Sequence, residues 1–208
     1  MKKSALILAS AISILSSEAF GQSFTQTFYN QDIDYNHYSV ERVESDYILA
    51  GTLFDKNTNN NDIHIIRMDV FGNVIWERVI DESRDDRALD VCIGEDGRIA
   101  VTGYLTIDSL QSLYAVLLQP NGSFITDTRD VLDRNNVSAG TNIIYSSRNN
   151  EYIVGGYRGS DGGFTANPPY VDHGYAIVIR FNNGLSYLDH TEFTSTTLDF
   201  HASVNDII

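Results

Sequence analysis

Short apolar runs bounded by turn residues recur along the chain and predict β-strands. Between residues 34 and 84, four such runs are rich in β-branched and aromatic side chains, at 39–43, 47–52, 63–68 and 74–80. The pairs Asp96-Gly97, Asn121-Gly122 and Asn183-Gly184 supply residues that tolerate positive φ in tight hairpins. No segment carries the apolar stripe of an amphipathic helix, so the pattern predicts an all-β fold.

Three sequence markers recur in one order along the chain. The first is Asp or Asn followed three residues later by Ala, at residues 85–88, 136–139 and 199–202, with a weaker copy at 34–37 that ends on His37. The second is an apolar run that closes on Gly51, Gly103 and Gly156. The third is a turn that ends on Gly72, Gly122 and Gly184. Since independent markers keep the same order, we interpret the chain as tandem repeats.

The repeats define units at residues 34–84, 85–135 and 136–198, with the start of another at 199–208. Four antiparallel strands in about 50 residues match the size of one β-propeller blade. Three blades and the start of a fourth fall short of the 4 to 8 blades that typically close a ring. The sequence therefore predicts an incomplete ring from a longer protein.

Residues 24–29 occupy the same position relative to residue 34 that the predicted fourth strand, 74–80, occupies relative to residue 85. We therefore predict a strand there. It could complete the last blade and latch the ring, and the alternative is an ordinary edge strand.

The stretch from Asp62 to Gly103 includes the run Arg67-Met-Asp-Val-Phe-Gly-Asn-Val-Ile-Trp76 and then Asp85-Asp-Arg-Ala88. It resembles the tandem β-propeller repeats, of the delta-60 and related types, of large secreted bacterial proteins. The similarity spans about residues 34–208. The resemblance implies the propeller architecture but little about activity, because propellers host many unrelated functions.

The N-terminus has the organisation of a secretory signal peptide. Lys2 and Lys3 precede an apolar run at residues 5–15, and Ala19-Phe20-Gly21 supplies small residues for cleavage. An N-terminal helix packed on the domain is the alternative, but a run without a polar face makes a poor surface helix. The run is also shorter than the roughly 20 residues of a membrane span. We predict a signal peptide at 1–21 and a secreted or cell-surface repeat domain at 22–208.

The net charge of −14 narrows the range of partners. Nucleic acid and anionic membrane surfaces are disfavoured, whereas cations, neutral glycans and proteins fit better. The single cysteine, Cys92, excludes an intramolecular disulfide and lies in an apolar run, so we expect a core residue.

The loops between the second and third strands of the units, at residues 53–62, 104–112 and 157–174, should share one end of the sheets with the connection at 81–86. We expect a protein or glycan partner to bind at this loop-rich face. The third unit has an insertion there, and Tyr157, Phe164 and Tyr170 are candidates for stacking on a sugar or docking a protein. A tolerated surface loop is the alternative.

Oxygen-bearing side chains alternate in the loop of the first unit, at Asp55, Asn57, Asn59 and Asp62. Such spacing suits calcium, but the glycine and the distal glutamate of an EF-hand loop are missing, and a solvated Asn-rich turn is the alternative. The Asp or Asn of the first marker could likewise form a ring of carboxylates. Its recurrence favours a structural role instead, accepting backbone hydrogen bonds between units.

The sequence contains no convincing catalytic constellation. The five histidines lack metal-ligand spacing, and no Gly-x-Ser-x-Gly elbow or phosphate-binding glycine loop occurs. We therefore predict a non-catalytic module for protein or glycan recognition or scaffolding, with no cofactor unless calcium binds. The alternatives are a carbohydrate-active lyase or hydrolase on a propeller scaffold and a calcium-stabilised adhesin.

Overall fold

A computed structural model describes residues 27–82, 85–108, 110–129, 131–132, 137–159 and 174–193. These residues form twelve β-strands and no helix. The strands are β1 (Ile33–Val43), β2 (Asp46–Asp55), β3 (Asn60–Met68), β4 (Val74–Ile80), β5 (Arg87–Ile93), β6 (Ile99–Ile107), β7 (Leu110–Leu118), β8 (Phe124–Arg129), β9 (Val137–Ser146), β10 (Glu151–Gly159), β11 (Gly174–Asn182) and β12 (Tyr187–Phe193). They build three four-stranded antiparallel sheets in chain order, β1–β4, β5–β8 and β9–β12, which we call the first, second and third sheets. The predicted all-β tandem organisation is confirmed.

The strands on either side of the predicted loops are longer than their apolar runs indicate. In the first sheet the ladder continues through Leu53–Asp62 to Asp55–Asn60, so the connecting turn is only residues 56–59. In the second sheet, β6 and β7 likewise leave only residues 108–109 between them. Polar side chains at the strand ends hide this continuation, because backbone pairing needs no apolar side chain. The loops predicted at 53–62 and 104–112 are therefore mostly strand.

The three sheets stack face to face, mainly over two large apolar clusters. Ile48 and Ile65 of the first sheet share one cluster with Val101 and Val116 of the second. On the other side of the second sheet, a further cluster joins it to the third sheet; it includes Leu113, Leu117, Val154, Ile177 and Ile179. Both faces of β6 are thus covered, which explains why its sequence is almost continuously apolar. Each fully buried aliphatic side chain contributes about 1.5–3 kcal/mol to folding.

The glycines that close the second marker lie where two backbones approach closely. β1 and β5 each bulge opposite this glycine, between His37 and Ser39 and between Ala88 and Asp90. A Cβ added at Gly51, Gly103 or Gly156 would overlap the backbone of the neighbouring first strand of its sheet. The repeated glycine therefore serves the bulge rather than a turn.

The third marker ends on a residue with left-handed backbone conformation, but in the third sheet this residue lies one position after the predicted glycine. Gly72 and Gly122 have φ of 85° and 80°. In the third turn Leu185, not Gly184, takes that position with φ of 57°, and its N–H donates to the Asn182 carbonyl as Gly72 does to Asp69. The left-handed conformation costs roughly 1–2 kcal/mol. Burial of the Leu185 side chain in the second cluster offsets this cost, at about 1.5–3 kcal/mol.

Several predicted segments lie outside the described residues. They are the signal peptide at 1–21, residues 24–26 of the predicted latch, the insertion at 160–173 and the unit start at 199–208. Residues 27–29, the described end of the latch segment, are not part of a strand. Among the described residues there is no helix with the length and hydropathy needed to span a membrane.

Candidate functional site

The turn between β2 and β3 meets the connection between the first and second sheets. Asn61 and Asp85 form a parallel bridge, and the Asp86 N–H donates to the Asn61 carbonyl at 2.9 Å. The Asn61 side-chain amide also donates to the Asp85 carboxylate at 2.6 Å. The prediction that this turn and the connection share one end of the sheets is therefore confirmed. We call this region, residues 55–62 with 81–82 and 85–86, the loop end.

The Asp of the first marker in the second unit has a structural role, but not the expected one. Asp85 accepts from side chains: Asn61, the Arg87 guanidinium at 3.0 Å and the Tyr104 hydroxyl at 3.0 Å. The next residue, Asp86, accepts the backbone N–H groups of Glu82 at 2.8 Å and Thr106 at 3.1 Å. The carboxylate that accepts backbone hydrogen bonds is thus that of Asp86, one position after the predicted Asp85. Both carboxylates bind the connection between the first two sheets to the second sheet. Asn136 lies outside the described residues.

The loop end is strongly acidic. Asp62 is largely buried and accepts a hydrogen bond from the Asn60 side chain at 2.8 Å. Burial, followed by the negative charges of Asp81, Asp86 and Asp55, raises the pKa of Asp62 to about 6. Carboxylates close enough to raise the pKa of Asp62 concentrate negative potential, which favours positively charged or hydrogen-bond-donating groups.

The four residues predicted as calcium ligands are placed around this turn with their own partners. The Asp55 carboxylate accepts the backbone N–H of Asn57 at 2.8 Å, and Asn59 adopts positive φ of 56°. These are features of an Asn-rich turn that stabilises its own backbone. Only Asp55 and Asp62 contribute carboxylates. In the part of the chain that the structure describes, no three His, Cys, Asp or Glu side chains are grouped to hold a metal ion.

The aromatic residues predicted for a ligand face are not brought together in the described structure. Tyr157 is fully buried and packs with Tyr104, Val137 and Ala139. In the sheet it pairs with Ala139 and Ala176, whose small side chains leave room for its ring. Its ring therefore belongs to the core and presents no face for stacking. Phe164 and Tyr170 lie outside the described residues.

A histidine pair that sequence spacing did not indicate lies on the first sheet, on the face turned away from the second sheet. The rings of His37 and His64 are 5.3 Å apart between centroids, and the Tyr35 ring is 5.5 Å from His64. His64 is buried, and its Nε2 lies 3.5 Å from the Glu77 carboxylate. The two histidines are brought together by their pairing with Gly51 from either side. The sequence signal that could have indicated this pair is a glycine, Gly51, that pairs with a histidine on each neighbouring strand.

Burial keeps both imidazoles neutral near pH 7. It lowers the pKa of His37 to about 4, with a further contribution from the charge of His64. Burial also lowers the pKa of His64, although the Glu77 carboxylate opposes the shift. The buried Nε2 of His37 and Nδ1 of His64 have no hydrogen-bond partner among the described residues. Perturbed groups of this kind occur at functional sites and in structural clusters alike.

Cys92 does not offer an active nucleophile. It is buried between the second and third sheets, as predicted from its apolar surroundings. Burial, together with the charges of Asp90 and Glu41, raises the pKa of its thiol. A thiol held protonated is a poor nucleophile and a poor metal ligand.

Comparison with known proteins leaves the chain without an assigned family. Neither a protein-family model nor a curated protein sequence matches it.

Proposed function

We propose that the chain is a non-catalytic recognition or scaffold module of the cell exterior, whose sheets are blades of a β-propeller. The observation that carries this proposal is the use made of the polar residues in the repeats. Arg67, Asp85 and Asp86 are engaged in joining one sheet to the next or a sheet to its connection. The recurrence of Arg67 and Asp85 in the repeats is thus explained by architecture, without a reaction.

The propeller arrangement is supported by the first strands of the three sheets. Asp90 on β5 accepts a hydrogen bond from the Ser39 hydroxyl of β1 at 2.6 Å. Its other oxygen accepts the backbone N–H of Ile143 on β9 at 2.8 Å. One side chain therefore ties together the first strands of all three sheets. Convergence of one edge strand from each sheet is what radial blades around a central axis require.

The loop end is the surface we assign to recognition. Its carboxylates, Asp55, Asp62, Asp81 and Asp86, crowd one another enough to raise the pKa of Asp62. A partner with ammonium groups or many hydroxyl donors would relieve this crowding, which favours a basic or neutral glycan or a basic protein segment. The surface disfavours anionic polysaccharides for the same reason.

The test is binding of the full chain to three polysaccharides of different charge: chitosan, dextran and alginate. We expect saturable binding that is strongest for cationic chitosan, weaker for neutral dextran and absent for alginate, and that weakens with salt. The variant Asp55→Asn with Asp81→Asn should bind chitosan less tightly. Glu44→Gln with Glu95→Gln is the matched control, because it removes the same charge from exposed turns outside the loop end.

Two further readouts distinguish the alternatives. Release of reducing ends or unsaturated sugars from any of the polysaccharides, lost in the Asp55 and Asp81 variant, would replace this proposal with a hydrolase or lyase. A rise in melting temperature with calcium, lost in Asp55→Ala with Asp62→Ala, would favour the calcium-stabilised adhesin. Failure of all three polysaccharides to bind would remove the glycan assignment.

A further inference from the structure

The contact between the first and second sheets is organised around Arg67. Its Nε and Nη2 contact the Asp46 carboxylate at 2.8 and 2.7 Å. Its Nη1 donates to the Pro120 carbonyl at 2.7 Å, in the turn that connects β7 and β8. The indole N–H of Trp76 donates to the same carbonyl at 3.2 Å, and Arg78 donates to the Gly122 carbonyl at 2.9 Å. Three side-chain donors of the first sheet thus form hydrogen bonds with a single turn of the second sheet.

Arg180 occupies the position of Arg67 in the third sheet. Arg67 pairs in register with Ile48, and Arg180 pairs with Ile153 at the same step of its sheet. The local ion pair is also reproduced, since Nε and Nη2 of Arg180 contact Glu151 at 3.0 and 2.8 Å. The difference lies in Nη1, which donates to Asp189 at 2.9 Å rather than to a turn of another sheet. The face of the third sheet turned away from the second, its outer face, therefore carries a donor arrangement like that of Arg67.

The first sheet carries the matching turn. Residues 69–72 repeat the hydrogen bonds of residues 119–122: Asp69 N–H to the Asn73 carbonyl and Gly72 N–H to the Asp69 carbonyl. Gly72 and Gly122 also share the left-handed backbone conformation. Val70 stands where Pro120 stands in the second sheet, so its carbonyl is the counterpart of the acceptor for Arg67.

Apolar side chains are exposed on the corresponding faces. On the outer face of the first sheet, the one turned away from the second, Val40 and Val79 are 63% and 45% exposed. Val91, the register counterpart of Val40 in the second sheet, is 1% exposed because the first sheet covers it. On the outer face of the third sheet, Phe193 is 53% exposed at the position that Ile80 occupies in the first. Exposed apolar faces of this kind mark interaction surfaces.

We propose that the outer face of the third sheet binds the outer face of the first sheet of a second copy of this chain. Nη1 of Arg180 would then donate to the Val70 carbonyl of the second copy, as Arg67 donates to Pro120. The contact is heterologous, and two such contacts close a ring of two copies. The six described sheets of two copies fall within the 4 to 8 blades of propellers. The contact rests on the register counterparts alone, whereas ring closure rests also on the proposed propeller architecture.

The experiment is the oligomeric state of the full chain, by sedimentation velocity over a range of concentrations. We expect a dimer that Arg180→Glu and Val40→Glu each weaken by about 30-fold or more, as for a central interface residue. Arg148→Glu, an exposed change of the same charge outside both faces, should leave the dimer intact. Circular dichroism and melting temperature identify any variant that fails to fold.

Mixing the two weakened variants gives a sharper test. Each retains one competent face, so the mixture should form a heterodimer through a single Arg180 contact, whereas each variant alone stays monomeric. A wild-type chain that is monomeric at every concentration would overturn the proposal, as would a dimer unaffected by both substitutions. A chain that dimerises only after removal of residues 199–208 would also overturn it, in favour of that segment as the occupant. These outcomes are independent of glycan binding and turnover, which test the proposed function.

Discussion

His37 and His64 lie 5.3 Å apart between ring centroids at positions where the second sheet has Ala88 and Tyr114. All four residues pair with the glycine that closes the second marker, Gly51 or Gly103. The first sheet thus keeps the backbone pattern of the repeat but replaces a small and a phenolic side chain by two imidazoles. We expect this exchange to make the stability of the first sheet depend on pH.

His37 should lower the free energy of unfolding as the pH falls from 6.5 toward 4, its ordinary and folded pKa values. Between these values the unfolded chain binds the proton that the folded chain excludes, so acid favours unfolding. His37→Ala with His64→Tyr, which restores the side chains of the second sheet, should reduce this loss. Urea unfolding at both pH values measures it. His190→Gln, at an exposed histidine, is the control, and an equal loss in the double variant would contradict the prediction.

Asp62 should give the opposite dependence. Its pKa is raised from 3.8 to about 6, so the folded chain binds a proton more tightly than the unfolded chain between these values. Its contribution to stability is therefore greatest below pH 3.8 and is lost as the pH rises to 6. Asp62→Asn keeps an oxygen to accept from Asn60 and should raise the melting temperature at pH 7. Glu95→Gln is the control for net charge, and a lower melting temperature for Asp62→Asn would contradict the account of crowded carboxylates.

Gly103 should tolerate no side chain. An added Cβ would overlap the Arg87 carbonyl at the bulge, and the backbone on both sides is fixed by the sheet. We expect Gly103→Ala to lower the free energy of unfolding by about 3 kcal/mol, at the upper end of the range for overpacking. Gly184→Ala is the matched control, because its nearest neighbour is the Asn182 side chain at 3.4 Å. Chemical denaturation of the two variants should separate them clearly, and equal stability would disprove the close approach.

Asp90 should stabilise the junction of the three sheets. Asp90→Ala removes the acceptor of Ser39 and of the Ile143 N–H, and we expect a loss of about 2 kcal/mol because a buried donor is left unpaired. Ser39→Ala removes only one of the two bonds and should cost about 1 kcal/mol or less. Hydrogen exchange at Ile143 provides a local readout: faster exchange is expected in Asp90→Ala but not in Ser39→Ala. Unchanged exchange in both would show that Asp90 does not join β5 to β9.

The sequence was a good guide where local backbone geometry dictates the residue. Gly72 and Gly122 mark left-handed turns, and the period of the glycines separates the sheets correctly. It was a poor guide where tertiary packing decides. Leu185 adopts the left-handed conformation because its side chain is buried, and the ring of Tyr157 is accommodated by alanines on two neighbouring strands.

For the candidate site, too, the sequence predicted what strand order determines and missed what tertiary packing determines. The shared end of the β2–β3 turn and the 81–86 connection follows from the order of strands in a meander. The histidine pair depends on register across β1, β2 and β3, and the crowding around Asp62 on carboxylates from separate segments. Neither arrangement leaves a contiguous motif. In contrast, the contiguous oxygen-rich motif at Asp55 to Asp62 includes residues that stabilise a turn.

The most direct test of the central claim, that tandem sheets are arranged radially as propeller blades, is a crystal structure of the full chain. We predict that successive sheets are related by rotation about one axis, with β1, β5 and β9 nearest to it and Asp90 bridging Ser39 and the Ile143 amide. Sheets stacked without a common axis, or first strands on opposite sides of the molecule, would contradict the claim.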